Sequence, residues 1–376
     1  MSPKTIVIIG GGIAGTCTAY FTAISPHRQG TKIIIVEGTK IAAAASGYSG
    51  GFLAKDWHGS ATSSLAAKSF DLHASLAKEY DGSVNWGYRT VETLSVEYDA
   101  TRPTISPSPL PWLPQGHLHS SRILGTHSTT AQVHPGQFTN FISRQFLKQS
   151  NTELVIGRAS GLKIQDGKVK GVEVKTENGV EMLEADCVVL CAGPWTGSLA
   201  VELLGKVVGK KLGVTGHRAH SVVLKTKERL TPHCLFTSMT MEDGSVDEPE
   251  VYTRPDGELL TPVSCGAGDD EPLPPTASDI HPSPIAIAKL HRQAATLTPH
   301  FSRGEGAEVL AEQCCYLPIA DRGRPLIGKV SGVEGVYVGS GLSCWGITQG
   351  PGTGLVLSEL ILEGKVKSAD ISKLAP

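Results

Sequence analysis

The run Thr5-Ile6-Val7-Ile8-Ile9-Gly10-Gly11-Gly12-Ile13-Ala14-Gly15 decides the fold. Thr5–Ile9 is short, continuous and β-branched, the pattern of a strand buried on both faces. Gly10–Gly15 match G-x-G-x-x-G, and Thr16–Ser25 carry apolar residues at helical spacing. Lys32–Val36 read as a second buried strand ending at Glu37, which completes a βαβ unit. In such a unit the first glycine makes the turn, the second lets a pyrophosphate reach the backbone, and the third lets helix and strand pack closely. The helix N-terminus then faces the phosphate charge. Glu37 lies 22 residues past Gly15, where a carboxylate accepts both ribose hydroxyls and repels a 2′-phosphate. The unit predicts a bound dinucleotide and disfavours NADP, leaving FAD and NAD open at this point.

The composition agrees. Glycine makes up 43 of 376 residues, about 11% against a usual share of about 7%. No G-X-Y period exists, and the glycines sit among apolar segments, so neither collagen nor disorder explains them. They gather around the first two strands and again between Gly332 and Gly354. The length allows about two domains. With 34 basic and 36 acidic residues the net charge is −2, which argues against nucleic acid or anionic membrane as a partner found by bulk charge. Eight cysteines without a signal-peptide pattern, several inside apolar runs, predict a reduced, cytoplasmic protein. None has zinc spacing, so no metal is expected. The uncharged stretch Gly335–Ser358 is broken by Gly, Ser, Thr and Gln, which suits a ligand-lining loop feeding a helix and not a membrane span.

Further along, Phe138–Gln149 predicts a helix. Glu153–Ile156, Lys168–Lys175 and Glu181–Ala185 predict a meander with turns at Asp166-Gly167 and Asn178-Gly179. Asp99–Ser121 is rich in proline and serine and reads as a surface excursion. Val188–Cys191 and Gly335–Val338 are further buried strands. Ala219–Lys225 and Val251–Leu260, with a turn at Pro255-Asp256-Gly257, suggest a second sheet. Asp269–Pro284 is a loop, Pro284–Leu297 a helix, and Thr353–Leu362 a final helix that Pro351 helps to start. Nucleotide-type elements at both ends and in the middle predict a discontinuous two-domain chain.

Three later segments separate FAD from NAD. Ala43–Phe52 put small residues just after the ribose-binding strand, able to admit a second phosphate and a flat ring edge. Asp186–Trp195 form a strand ending in a small-residue turn. Gly339–Thr348 precede a helix whose N-terminus, aimed at the pyrimidine edge of a flavin, would stabilise negative charge on the reduced ring.

These motifs resemble the flavoprotein superfamily that includes D-amino-acid oxidase, glycine oxidase and sarcosine oxidase. The loop A-S-G-x-x-G-G-F-L-A-x-D-W at Ala45–Trp57, with S-C-W-G-I at Ser343–Ile347, more narrowly resembles a fungal and plant group of FAD-dependent oxidoreductases. Val133-His134-Pro135 and Tyr252–Gly257 extend the resemblance over nearly the whole chain. It implies an α/β fold: a discontinuous, Rossmann-like, glutathione-reductase-like FAD domain (1–57, 131–213 and 305–376) beneath a mixed-sheet α+β substrate domain (58–130 and 214–304). Carried over by motif, Gly10, Gly12, Ile13, Ala14 and Gly15 hold pyrophosphate and Glu37 the ribose. Ser46, Gly47, Gly50 and Gly51 line the pyrophosphate and ring side, and Ser160 lies near the adenine. Ala192, Gly193 and Trp195 wrap the adenosine end, while Gly341, Gly346, Ile347 and Thr348 meet the isoalloxazine.

The resemblance also implies the chemistry: a hydride leaves the carbon next to an amine of an amino acid or secondary amine for the flavin, so no protein nucleophile is needed. Reoxidation is by O₂ or another acceptor. Cys314, in Cys314-Cys315-Tyr316 before Ile327-Gly328, falls where sarcosine-oxidase-like members bind FAD covalently; a thioether and a pair of buried thiols are the two alternatives. Tyr316 takes the place of a substrate-contacting Arg or Tyr, and Trp57, His58 and Trp345 would wall the ring. The chain departs from the pattern where sarcosine-oxidase-like enzymes carry arginines: Leu53 and Asp56 stand there, and no clear counterpart of their oxygen-activating lysine is present. Arg254, Arg218 and Lys55 are candidate replacements, each weighed against a solvated surface charge. The partner expected is thus a small amine or amino acid. The alternatives are a flavin-bound trafficking or regulatory protein with little amine oxidation, and an NAD-linked dehydrogenase.

Overall fold

Continuous β-branched runs build a six-stranded sheet in the order Leu326–Lys329, Val336–Ser340, Cys187–Leu190, Thr5–Ile9, Lys32–Glu37 and Thr152–Ile156. Neighbours are parallel except for the pair formed by Leu326–Lys329 and Val336–Ser340, which is antiparallel. The structure, a computed structural model, describes residues 4–228, 230–256, 259–266 and 268–376. Both faces of the sheet are covered, which is why its strands read as unbroken apolar runs. Ile6 and Ile8 pack in the core that holds helices Ile13–Ile24, Ser63–Glu79, Pro135–Leu147 and Gly346–Glu363. Val7 and Ile9 pack on the other side with the helix Thr196–Gly209 and a three-stranded meander, Arg158–Gln165, Lys168–Thr176 and Gly179–Glu184. Each fully buried isoleucine contributes about 1.5–3 kcal/mol. This is the Rossmann-like architecture that the βαβ unit predicts.

The second sheet is larger and mixed. Its order is Glu308–Ala320, Val214–Lys225, Leu259–Gly266, Glu250–Asp256, His233–Thr240, Glu92–Asp99 and Leu118–Gly125, with Val246–Asp247 paired to His233–Thr240. Only the His233–Thr240 and Glu92–Asp99 pair is parallel. A small sheet of Phe52–Ala54, Thr130–Gln132 and Arg89–Thr90 lies on the path between the two large ones in sequence. No helix among the described residues is long and apolar enough to cross a membrane. All eight cysteines are free thiols.

Several sequence expectations are corrected in detail. Thr152–Ile156 belongs to the parallel sheet beside Lys32–Glu37, not to the meander. The meander's first strand begins at Arg158, after Gly157 has passed its N–H to the Glu37 carbonyl at 2.8 Å. The Asp99–Ser121 stretch is anchored: Leu110, Trp112 and Leu113 are buried, and Trp112 donates to the Thr231 hydroxyl at 2.7 Å. Gly257, in the turn expected at Pro255-Asp256-Gly257, lies outside the described residues. The last helix begins at Gly346, so Pro351 sits inside it and does not start it. Two segments cross the division drawn from sequence. The Ser63–Glu79 helix packs in the core of the six-stranded sheet, and Glu308–Ala320 is the outer strand of the large mixed sheet.

Candidate functional site

The carboxyl ends of the central parallel strands open into one cavity of about 770 Å³, where ligands of open α/β sheets bind. Gly10, Gly12, Ile13 and Ala14 form its floor. A Cβ on Gly10, whose φ is +113°, would stand 2.3 Å from the Cys191 carbonyl oxygen, and one on Gly15 would stand 2.0 Å from the Gly10 oxygen. The turn is therefore held flat against the neighbouring strand and helix, with no side chain between its backbone and the cavity at Gly10 and Gly12. Ser46 accepts from the Ile13 N–H at 2.9 Å. Glu37 is fixed from two sides, accepting from the Gly11 N–H at 2.7 Å and the Thr39 N–H at 2.9 Å. This cradle, a glycine turn without side chains at a helix N-terminus, with a carboxylate at the end of the second strand, fits the pyrophosphate and ribose of FAD.

The roof over the Glu37 end of the cavity comes from a segment that carries no motif. Leu273–Ala277 line the cavity opposite the cradle. Trp195 lines it too, and its indole N–H holds the segment by the Pro274 carbonyl at 2.7 Å. The Tyr316 hydroxyl donates to the Pro272 carbonyl at 2.9 Å. Arg218 pairs with Asp269 at 3.2 Å and donates to the His281 carbonyl. Tyr316, expected to contact substrate, is thus buried as a tie for this loop and does not line the cavity. Arg218 is buried, not a solvated charge.

At the opposite end, Gly346 and Ile347 line the wall together with Ser343 and Cys344. Next to them stands an aromatic cluster. Trp57 lies 5.1 Å from Phe52, 5.2 Å from Phe236 and 6.5 Å from Trp345, and Tyr252 lies 5.9 Å from Phe52. The Tyr252 hydroxyl donates to the Glu250 carboxylate, and burial pushes that carboxyl above its ordinary range. Cys344, on the cavity wall, lies within reach of the Glu250 charge. Arg254 is buried and donates to the Ser49 carbonyl at 3.3 Å. Burial lowers the His58 pKa; its ring lies 4.4 Å from Trp345 and hydrogen-bonds the Ala54 carbonyl at 2.9 Å. Lys55 is half-buried and paired with Asp71 at 2.8 Å.

Of the residues expected at the cofactor, Gly10, Gly12, Ile13, Ala14, Glu37, Ser46, Ala192, Gly193, Trp195, Gly346 and Ile347 are brought together on this one wall. The others lie behind it. Gly15, Gly47 and Gly51 are packed against backbone oxygens, Gly50 against the Tyr252 ring and Gly341 against Ala320. Thr348 donates to the Phe52 carbonyl at 3.2 Å. Ser160 gives its hydroxyl to Glu173 at 2.7 Å, while its neighbour Ala159 takes the wall position. Cys314 lines a neighbouring space of about 610 Å³, 3.3 Å from the Arg218 guanidinium. Sequence reasoning missed Thr39, Arg158, Glu202 and the 273–277 roof. Only the paired prolines 274 and 275 hinted that the roof is a stiff segment.

The family model for FAD dependent oxidoreductases matches residues 5–360. A Schizosaccharomyces pombe protein, named only as an oxidoreductase, is 37% identical over 391 residues, covering 99% of this chain and 98% of its own. The glycine oxidase of Pseudomonas putida is 25% identical, with 99% and 98% covered. Among solved structures, glycine oxidase from Geobacillus kaustophilus superposes with a TM-score of 0.77 at 19% identity, covering 99% of this chain and 98% of that one, and so shares the fold.

Proposed function

The chain belongs to the FAD-dependent oxidoreductase family and uses FAD, and on that premise we propose that it removes a hydride from the carbon next to an amine of an amino acid or secondary amine. The observation that carries this reading is the Glu250–Tyr252 pair in the aromatic cluster of Phe52, Trp57, Phe236 and Trp345, with Arg254 on the same strand reaching the carbonyl of Ser49 on the cavity wall. The name of the Pseudomonas glycine oxidase points the same way. FAD, when bound, supplies the two-electron acceptor, so the chain needs no nucleophile. The aromatic rings exclude water. Arg254 offers a cation for a substrate carboxylate. An ammonium substrate must lose a proton before its nitrogen lone pair can expel the hydride, and Glu250 takes that proton. The Tyr252 hydroxyl holds the acceptor carboxylate in place, and the raised pKa brings it nearer to working pH. We place the cofactor domain at 1–57, 131–213 and 305–376 and the substrate domain at 58–130 and 214–304, with Ser63–Glu79 and Glu308–Ala320 as the elements each lends across the division.

The test is anaerobic titration of the yellow protein with amines, amino acids and hydroxy acids. At least one amine should bleach the flavin, and Glu250→Gln should slow bleaching about 100-fold, the size of general-base assistance. Failure of every amine sinks the reading. Leu53 and Asp56, standing where the resemblance expects arginines, would then favour a flavin-bound trafficking or regulatory partner, which should capture the same proteins with and without FAD.

A further inference from the structure

Pro351 stands inside the Gly346–Glu363 helix and has no N–H to give the carbonyl four residues earlier. That carbonyl belongs to Ile347, which is buried and lines the cofactor cavity. Left alone it would be an unpaired buried acceptor, which carries the full desolvation penalty. His73 supplies the missing donor from another helix: its Nε2 lies 2.8 Å from the Ile347 oxygen. His73 is wholly buried on the Ser63–Glu79 helix, with its ring 4.7 Å from Phe138. Because its partner can only accept, Nε2 carries the proton and Nδ1 is bare; Nδ1 has no hydrogen-bond partner. Burial pushes the ring's pKa down to about 4, which keeps it in this neutral, single-donor form. One turn earlier on the same helix, the Ser69 hydroxyl accepts from the Gly352 N–H at 2.8 Å. The fit is close enough that a Cβ on Gly352 would stand 2.9 Å from the Ser69 Cβ and 3.0 Å from the Leu65 oxygen. The two helices are clamped on either side of the proline.

We infer that His73 is a positioning residue: by replacing the hydrogen bond that Pro351 cannot make, it fixes the first turn of the Gly346–Glu363 helix and, through Ile347, the shape of the cavity wall. The inference rests on the placement of FAD in that cavity. It does not depend on which substrate is oxidised.

The experiment is a double-mutant cycle on the full chain, reading the FAD dissociation constant by flavin fluorescence and the flavin midpoint potential. His73→Leu keeps bulk and loses the donor; it should weaken FAD on the order of tenfold, the size of one buried hydrogen bond lost, and shift the potential. Pro351→Ala restores the N–H at 351, so His73→Leu in that background should bind FAD nearly as the wild type does. His73→Gln retains a donor and should fall between. A His73→Leu chain that folds only when Pro351→Ala is present supports the inference equally. His73→Leu with unchanged affinity and potential overturns it, as does a loss that Pro351→Ala leaves undiminished, for then the ring acts by packing alone. A wild-type chain that takes up no FAD overturns the placement of the cofactor itself.

Discussion

At the Glu37 end the cavity floor is a glycine turn, its backbone packed against its own helix and against Cys191, just past the Cys187–Leu190 strand. At the Cys344 end the wall of Ser343, Cys344, Gly346 and Ile347 is backed by side chains drawn from separate segments, Phe52, Trp57, Phe236, Tyr252 and Trp345, which pack behind the lining. The first kind of wall tolerates almost no change at its glycines and is indifferent to most other residues. The second can be altered one side chain at a time, which is how one fold comes to carry different chemistries. The sharpest way to break the contrast is Gly15→Ala. The added Cβ would stand 2.0 Å from the Gly10 oxygen, and neither partner can move without dislodging the turn. The expected cost is about 4 kcal/mol or more, the range of severe backbone and packing changes. The purified variant should carry no flavin, as read by its visible absorbance. A yellow Gly15→Ala protein would show that the cradle is looser than its geometry.

The His73 clamp gives the far end a dependence on acid. His73 titrates near 4 when folded, against about 6.5 when unfolded. Between those values the unfolded chain binds a proton that the folded chain refuses. Stability is therefore full above about pH 6.5 and falls as the pH drops toward 4, by roughly 3 kcal/mol in all. His73→Gln has no such proton to refuse, so its urea midpoint should vary less with pH across that window. Parallel slopes for the two proteins would contradict the buried neutral ring.

The roof sits between these extremes. Arg218 ties it by Asp269 and the His281 carbonyl while its Nε is held by the Cys314 thiol of the Glu308–Ala320 strand, so Arg218→Met should free the 268–283 segment while keeping most of the side-chain bulk. FAD should bind about tenfold more weakly, about 1.4 kcal/mol, and hydrogen exchange in that segment should speed up. The same comparison explains what the sequence could reveal. The βαβ unit was legible because strand, glycine turn, helix and Glu37 are consecutive, and each has a local reason to be what it is. The sequence marks Arg254 only as a candidate cation and leaves Glu250 unmarked, because only the fold brings Tyr252 and its Glu250 partner to Phe52 and Trp57. His73 was illegible for the same reason, since its partner lies 274 residues away. Ser160 and Tyr316 show the finer limit. The strands carrying them were found or implied, yet alternate residues face opposite ways, and in both cases a neighbour, Ala159 or Leu317, takes the wall.

The smallest effect belongs to Cys314, and it tests the boundary of the cavity itself. The resemblance leaves a thioether to FAD and a pair of buried thiols as alternatives there, and the thiol lines the neighbouring space with the Arg218 guanidinium at 3.3 Å. Burial pushes its pKa up, while Arg218 pulls it partly back, so the thiolate needed for attack is scarce at neutral pH. Acid precipitation of the wild type should release all flavin to the supernatant, and Cys314→Ser should retain FAD as well as the parent. Flavin remaining in the pellet, and lost from it in Cys314→Ser, would mean that the 610 Å³ space opens onto the isoalloxazine. The roof loop over both spaces would then belong to the substrate end of the molecule and not to the adenosine end.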